Sequence, residues 1–318
     1  MLRREKKMPT INPFKYAEVV TGEDFVDRED ELKELISDLI SGQNVILYSP
    51  RRYGKTSLIK EIFRRIGSKA ITVYVDLYGV MSGEVLAQRM ANQLMTSAYT
   101  TLDKLKKAIE EVLVGVSARI EIELGVVSVR LVWDREREHA TLEEVFDLPQ
   151  KIAEKQHKKM IVAFDEFQEI TELDGTRTEK LLRSKIQHHK DVAYLFAGSK
   201  VSMMIEMFGS YERAFYKFGK IMPLRKISSE KLKNFIIDKF KATGKTIEET
   251  TVEKILTFVN GHPYFMQMLC NEMWLLSENK VLNEHFQKAV EIITARNADF
   301  YTQIFGDLAK HQKTLLVG

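Results

Sequence analysis

Two kinds of apolar pattern alternate along the first two thirds of the chain. Apolar residues spaced by three and four positions, as at Leu32, Leu35 and Leu39, predict helices with one buried face. Short unbroken apolar runs predict buried strands. The helices expected in this way cover residues 28–41, 55–65, 84–98, 102–112, 142–156 and 179–189, and the strands cover residues 45–48, 71–75, 160–164 and 192–197. Because strands and helices alternate, we predict an α/β fold with a parallel sheet and helices on both of its faces.

Two departures from this alternation suggest how the chain is organised. Polar and apolar residues alternate with a period of two on either side of Gly125, which predicts a β-hairpin inserted at about residues 115–135. Beyond residue 209 the strand pattern ends. Helical spacing over residues 229–242, 250–259, 263–277 and 283–297 predicts an all-helical lid domain. We therefore expect a core over residues 1–225 and a lid over residues 226–306.

The composition excludes several classes of protein. Of 318 residues, 44% are hydrophobic and 29% are charged, which favours about two folded domains and excludes a disordered chain. Cys270 is the single cysteine, so neither an internal disulfide nor a cysteine-based zinc site can form. No apolar run approaches the ~20 residues that cross a bilayer, and no apolar segment follows the charged N-terminus. We therefore expect a cytoplasmic protein with no membrane contact, and the net charge of +3 identifies no partner.

The segment between the first predicted strand and the next helix has the chemistry of a phosphate-binding loop. Such a loop needs backbone N–H groups directed at oxygens, a lysine for the β- and γ-phosphates and a hydroxyl for Mg²⁺. Gly54, Lys55 and Thr56 follow the motif G-x-x-x-x-G-K-[ST], although Ser49 replaces its first glycine. A second Gly-Lys-Thr triplet, residues 244–246, follows a helix and is set aside. The predicted phosphate-binding residues are Ser49, Pro50, Arg51, Arg52, Tyr53, Gly54, Lys55, Thr56 and Ser57.

Two adjacent carboxylates follow the predicted strand at residues 160–164. Ligands of α/β sheets bind at the carboxyl ends of strands, which favours a catalytic pair over an acidic helix cap. We expect Asp165 to support Mg²⁺ together with Thr56, and Glu166 to polarise the water that attacks the γ-phosphate. Ser199 ends the next strand and is expected either to orient that water or to sense the γ-phosphate.

His262 and Pro263 open a helix of the predicted lid. Proline in a first helical turn favours helix initiation by itself, whereas a histidine at this place can instead donate to a phosphate across an interdomain cleft. These two residues alone leave both interpretations open.

Four motifs in this order resemble the archaeal ATPase family of the STAND/AAA+ superclass, which is related to origin-recognition ATPases. They are Phe25-Val-Asp-Arg-Glu29, Pro50-Arg-Arg-Tyr-Gly-Lys-Thr56, Phe164-Asp-Glu-Phe-Gln168 and Gly261-His-Pro-Tyr264. The resemblance covers about residues 11–300 and implies a P-loop NTPase core and a helical lid with the nucleotide between them. It also implies that Val26 and Arg28 lie near the adenine, beside an Asp27 that replaces the usual glycine. In the same way, it implies that His262 and Pro263 sense the phosphates.

The resemblance raises two further points. Many relatives carry an arginine after a glycine near the end of the core, available as a trans-acting finger, whereas here Lys220 follows Gly219. Lysine lacks the planar fork of arginine, and Arg213 and Arg225 are substitutes without a matching position. Relatives also commonly continue into a DNA-binding winged helix, and residues 307–318 resemble the start of one that is either truncated or lost.

The sequence therefore predicts an ATPase that binds ATP or ADP with Mg²⁺ and acts as a nucleotide-dependent conformational switch. The alternative is a module that binds ATP, hydrolyses it negligibly and contacts a partner through the helical half or the hairpin. Double-stranded DNA, a protein and a second copy of the chain are the candidate partners. A small-molecule kinase is disfavoured, because the Asp165-Glu166 pair favours hydrolysis.

Overall fold

The computed structural model describes residues 11–26, 28–113, 118–123, 126–132, 136, 138–174 and 176–317. These residues form two compact units. One comprises Arg28–Arg225, and the other joins the start of the chain to the stretch from Lys226 onward. We call them the α/β unit and the helical unit, and each is described by itself.

The α/β unit contains the alternating elements that the sequence predicts. Its strands are β1 (Val45–Tyr48), β2 (Ile71–Asp76), β3 (Ala118–Glu123), β4 (Val126–Leu131), β5 (Met160–Asp165), β6 (Val192–Gly198) and β7 (Lys220–Pro223). Its helices are α1 (Glu29–Ile40), α2 (Lys55–Ile66), α3 (Gly83–Ala98), α4 (Leu102–Val112), α5 (Glu138–Gln156), α6 (Thr171–Asp174), α7 (Arg177–Ile186) and α8 (Val201–Gly209). A 3-10 helix, Phe167–Ile170, follows β5.

Five strands form one parallel sheet in the order β2-β5-β6-β1-β7, which confirms the predicted fold class. β5 and β6 are buried along their whole length, as continuous apolar strands in a sheet covered on both faces should be. In the register of the sheet, Tyr48 at the end of β1 lies opposite Gly198, and Asp76 at the end of β2 lies opposite Asp165. The strands that lead to the phosphate loop, the acidic pair and Ser199 therefore end at the same edge of the sheet.

Strand β7 contradicts the prediction that strands end before residue 209. It pairs in parallel with β1, and Lys220 N donates to Asn44 O at 2.9 Å. The strand has four residues, of which only Met222 is buried, and it ends in a proline, which suits an edge strand. So short a segment has no detectable period of two, and only its pairing with β1 identifies it as a strand.

The predicted hairpin is present as the antiparallel pair β3 and β4. Its packing partner is α3, whose side chains bond the free edge of β4. Asn92 Oδ1 accepts from Val129 N at 2.8 Å, and Gln88 Oε1 accepts from Leu131 N at 2.8 Å. These amides satisfy backbone groups that an edge strand otherwise leaves unpaired.

The helical unit consists of α9 (Ser229–Ala242), α10 (Glu249–Val259), α11 (Pro263–Leu276), α12 (Asn283–Arg296), α13 (Ala298–Asp307) and α14 (Lys310–Val317). Two short parallel strands, β8 (Thr246–Ile247) and β9 (Lys280–Val281), join its loops. The helices expected from the sequence are confirmed, and the assignment of α14 to a winged helix stays a prediction. Throughout the described part of the chain, every helix is too short or too polar to cross a bilayer.

The assignment of the whole of residues 1–225 to the core is wrong for residues 11–26. Phe14 is buried in the helical unit, with its ring centroid 4.7 Å from that of Phe240. Asn271 Nδ2 donates to Phe14 O at 2.6 Å, and Lys239 pairs with Asp24 at 2.6 Å. The segment has no regular period, so its sequence carried no signal for which unit it joins.

The folding stability of the α/β unit should depend on His189 at acid pH. His189 Nδ1 lies 2.7 Å from the buried hydroxyl of Tyr194. Burial lowers the pKa of His189 from 6.5 to about 4, although the charge of Asp147 opposes this shift. The unfolded chain therefore binds the proton first. The stability contributed by neutral His189 is complete above about pH 6.5 and is lost as the pH falls toward 4, up to about 3 kcal/mol.

We therefore expect the urea midpoint of the wild type to fall more between pH 7 and pH 4.5 than that of His189→Gln. His188→Gln is the matched control, because His188 is the exposed neighbour. Equal pH dependence in the wild type and His189→Gln would show that His189 titrates normally in the folded protein.

Candidate functional site

The loop after β1 has the backbone geometry that an anion site requires. Arg52 and Gly54 both have positive φ, of 67° and 86°, and such alternation turns successive N–H groups toward a common centre. Ser49 is not among the described residues with positive φ, which explains why serine is tolerated where the motif has glycine. Lys55 begins α2, so the partial positive charge of the helix N-terminus is added to the loop.

Lys55 is a buried cation held by neutral oxygens. It is 6% exposed, and its Nζ donates to Ser49 O at 2.9 Å, Pro50 O at 3.2 Å and Ser49 Oγ at 3.5 Å. Burial lowers the pKa of Lys55, and the charges of Glu166 and Asp165 oppose that shift. Neither carboxylate forms a hydrogen bond with the Lys55 ammonium. An ammonium held in this way is complementary to an anion, because burying a charge without a counter-charge is costly.

Asp165 joins the phosphate loop to the end of β5. Its Oδ2 accepts from Thr56 Oγ1 at 2.6 Å and from Tyr74 OH at 2.8 Å, and its Oδ1 accepts from Glu166 N at 3.0 Å. Burial, followed by the charge of Asp165, raises the pKa of Tyr74 far above its ordinary value, so Tyr74 remains a donor. Lys60 Nζ lies 3.7 Å from the centroid of the Tyr74 ring. The predicted Thr56 and Asp165 pair is therefore assembled, with Tyr74 behind it.

Glu166 has a strained backbone and meets the end of the next strand. Its φ and ψ are 51° and 43°, a left-handed conformation that costs a residue with a side chain about 1 kcal/mol. Its Oε2 accepts from Ser199 Oγ at 2.6 Å and from Gln168 Nε2 at 2.6 Å. Local strain of this kind is found where function demands a particular orientation.

Arg28 reaches the phosphate loop from the start of α1. It is 2% exposed, and its guanidinium donates to Tyr53 O at 3.4 Å, Arg225 O at 3.0 Å and Glu31 Oε1 at 3.2 Å. Burial lowers the pKa of Arg28. Its contacts are to oxygens of the loop, of the end of the α/β unit and of Glu31 in α1.

The other predicted loop residues lie on the same loop or on the first turn of α2. Ser57 is buried, whereas Pro50, Arg51 and Arg52 are exposed. Three predicted residues belong to the helical unit. Val26 is buried in its apolar core, His262 precedes α11, and Pro263 occupies the first turn of that helix. Their approach to a nucleotide stays a prediction, and Asp27 lies outside the described residues.

Two of the three residues considered as a trans-acting finger, Lys220 and Arg213, form ion pairs within this chain. Lys220 pairs with Glu34 and Asp38, both at 2.7 Å. Arg213 pairs at 2.6 Å with the fully buried Glu179. The pair with buried Glu179 gives Arg213 a structural role in the α/β unit, whereas the Lys220 pairs lie at the surface.

Sequence reasoning missed three side chains of the site, namely Tyr74, Lys60 and Gln168. Tyr74 lies in β2 and Lys60 lies in α2, and neither residue belongs to a recognisable sequence motif. Gln168 ends one of the four family-like motifs, so its position was visible although its contacts were not.

Comparisons with known proteins find a family model and several proteins that match this chain. The model of a family described as an ATPase domain predominantly from Archaea matches residues 25–269. An uncharacterized ATP-binding protein of Pyrococcus horikoshii is 27% identical over 254 residues, 76% of this chain and 73% of that protein.

Two solved structures are similar in fold. The Walker-type ATPase of Pyrococcus abyssi has a TM-score of 0.63 at 16% identity, over 92% of this chain and 79% of that chain. The ORC1 protein of Aeropyrum pernix, solved in complex with DNA, has a TM-score of 0.58 at 15% identity, over 93% of this chain and 72% of that chain. At these identities the likeness shows a shared fold.

The hydrogen bond from Tyr74 to Asp165 should contribute measurably to the free energy of unfolding. We expect Tyr74→Phe to lower the free energy of unfolding in urea by about 1–2 kcal/mol, because a buried carboxylate oxygen loses one of its donors. Tyr78→Phe is the matched control, since the Tyr78 side chain follows the same strand and is exposed. If both variants have the same midpoint as the wild type, the contact contributes nothing to stability.

Proposed function

This chain belongs to the family of ATPase domains found predominantly in Archaea, and on that premise we propose that it hydrolyses ATP with Mg²⁺ and acts as a nucleotide-dependent conformational switch. The observation that carries this proposal is Lys55, a buried cation with neutral partners, beside a carboxylate pair at the same sheet edge. An anionic ligand would supply a counter-charge in direct contact with Lys55, whose hydrogen-bond partners among the described residues are all neutral.

The phosphates of ATP are the ligand that this loop suits. The loop N–H groups would bind oxygens of the chain of phosphates, as at other helix N-termini. The Lys55 ammonium would then exchange its bonds to Ser49 O and Pro50 O for bonds to the β- and γ-phosphates. This exchange costs little in hydrogen bonds and gains a charge-assisted interaction.

The donor set beside the loop fits a magnesium ion. Thr56 Oγ1 and Asp165 Oδ2 are hard oxygen ligands, which Mg²⁺ prefers, and they already lie 2.6 Å apart. Thr56 would hold the ion directly and Asp165 would support it, usually through water. When bound, the ion neutralises charge on the β- and γ-phosphate oxygens. Tyr74 would keep Asp165 in place by donating to Oδ2.

Glu166 is the proposed general base. It would accept a proton from the water whose oxygen attacks the γ-phosphorus, while the bond from that phosphorus to the bridging oxygen of ADP breaks. Products are ADP and inorganic phosphate. Ser199, which donates to Glu166 Oε2, would orient this water or contact the γ-phosphate.

The switch is proposed to involve the helical unit. His262 opens α11, and the family resemblance gives it a role in sensing the phosphates. In this proposal the nucleotide state changes the position of the helical unit, which a partner then detects. The expected location is the cytoplasm.

A binding module with negligible hydrolysis is the second candidate. It is favoured by Lys220, which stands where relatives carry a finger arginine and is paired with Glu34 and Asp38. The relative from Pyrococcus horikoshii is described only as ATP-binding. Because the ORC1 structure contains DNA, double-stranded DNA is the first partner to test, followed by a protein and a second copy of the chain.

Phosphate release from Mg²⁺-ATP should distinguish the two candidates. We expect Glu166→Gln to lower turnover about 100-fold or more while ATP still binds, since a general base contributes 10²- to 10⁴-fold. Lys55→Ala should lose both binding and turnover. Lys245→Ala, in the second Gly-Lys-Thr triplet, and Glu172→Gln are the matched controls and should retain both.

The outcomes separate the candidates clearly. Tight ATP binding without turnover in the wild type, abolished by Lys55→Ala, would favour the binding module. A rate increase on addition of double-stranded DNA would identify that partner class.

The switch predicts different protease accessibility in the two nucleotide states. Limited proteolysis with ADP and with a non-hydrolysable ATP analogue should give different cleavage rates over residues 219–230, where the α/β unit ends. Lys55→Ala should abolish the difference. Identical patterns with both nucleotides in the wild type would contradict the switch.

A further inference from the structure

Gln168 is a fully buried polar residue beside the proposed general base. It lies in the 3-10 helix after β5 and is 0% exposed. The flanking Phe167 and Ile170 are buried in the apolar core, where the Phe167 ring lies 4.6 Å from that of Phe196. The backbone that carries Gln168 is therefore fixed by packing, and its amide cannot turn toward solvent.

Every hydrogen-bonding group of this amide is used. Nε2 donates to Glu166 Oε2 at 2.6 Å and to Glu169 Oε1 at 3.3 Å, while Oε1 accepts from Ser199 N at 3.3 Å. The opposite orientation of the amide would set its oxygen against two carboxylates and its NH₂ against an N–H donor. The chemistry of the neighbours thus defines one orientation.

Gly198 provides the space that the amide occupies. A Cβ at this position would lie 2.5 Å from Gln168 Oε1 and 2.4 Å from Met204 Sδ. Both distances are far shorter than a van der Waals contact, so a side chain at the end of β6 would displace the amide, the Met204 side chain or both. The lack of space beside Gln168 and Met204 therefore explains why a glycine precedes Ser199.

The two donors on Glu166 act on the same oxygen. Oε2 accepts from Gln168 and from Ser199, whereas Oε1 accepts from none of the residues that the structure describes. Gln168 also bonds the backbone N–H of Ser199, so it sets the position of Glu166 relative to the end of β6. Gln168 thus contacts Glu166 Oε2, Glu169 Oε1 and the N–H of Ser199 at once.

We propose that Gln168 is a positioning residue for hydrolysis, which holds Oε2 of Glu166 so that Oε1 is the oxygen that receives the proton from water. This inference rests on the proposed function, because it assigns a role relative to the proposed base. Gln168 itself touches neither the water nor the phosphate. A misplacement of about 1 Å in a reacting group can cost about 10²-fold in rate, so the loss of this contact should mainly affect kcat.

The test compares two glutamines at opposite ends of β6. Gln168→Met keeps the length of the side chain and removes its hydrogen bonds. The matched control is Gln150→Met, because Gln150 Oε1 accepts from Lys190 N at 3.0 Å and Asp191 N at 3.1 Å at the start of the same strand. We expect Gln168→Met to lower kcat about 10- to 100-fold with the KM and the affinity for a fluorescent ATP analogue unchanged, and Gln150→Met to retain kcat.

A double-mutant comparison distinguishes positioning from a general loss of structure. In the Glu166→Gln background the base is already absent, so Gln168→Met should change the residual turnover by less than about twofold. Gly198→Ala is a second variant, which crowds the amide and the Met204 side chain without removing either, and should lower kcat in the same direction.

Each outcome decides the inference. Unchanged kcat in Gln168→Met, an equal loss in Gln150→Met, or an undiminished loss in the Glu166→Gln background would overturn it. If Gln168→Met does not fold, Gly198→Ala decides by the same criteria. Absence of turnover in the wild type, or full turnover in Glu166→Gln, would overturn the proposed function and this inference together, whereas normal turnover in Gln168→Met alone would overturn only the inference.

Discussion

The parallel register of β1, β5 and β6 is the constraint on which the site depends. β6 lies between the strand of the phosphate loop and the strand of the acidic pair, so Ser199 and Gly198 are placed between Lys55 and Glu166. Because parallel strands end at one edge of a sheet, three segments distant in sequence meet there. β5 and β6 are apolar and buried at every position, which keeps them in the interior of the sheet.

Buried polar groups at this edge of the sheet hydrogen-bond to one another. Asp165 accepts from Thr56, Tyr74 and the N–H of Glu166, while Gln168 links Glu166 to Ser199. A buried polar group without a partner costs about 1–3 kcal/mol, so such a network restrains its members to a single arrangement. Lys55 differs, because its hydrogen-bond partners among the described residues are neutral. It is the group that a nucleotide would change most.

The comparisons with known proteins and the geometry of the site support different conclusions about this protein. Family membership and the shared fold concern ATP binding and the P-loop architecture. Hydrolysis and Mg²⁺ are inferred from the arrangement of particular side chains, and the switch is inferred from the family resemblance at His262. A fold by itself does not specify a reaction. The proposed chemistry therefore depends on Lys55, Asp165 and Glu166 more than on any likeness.

The sequence by itself determined the alternating elements, the helical half and the residues of the phosphate loop and the acidic pair, because periodicity and local motifs depend on near neighbours in the chain. Only the tertiary structure showed that residues 11–26 join the helical unit and that β7 pairs with β1, since both segments lack a period of their own. The contacts of Tyr74 and Gln168 were equally hidden. Each depends on a partner from another strand or loop, and only the packing of the sheet and its flanking turns brings the two side chains together.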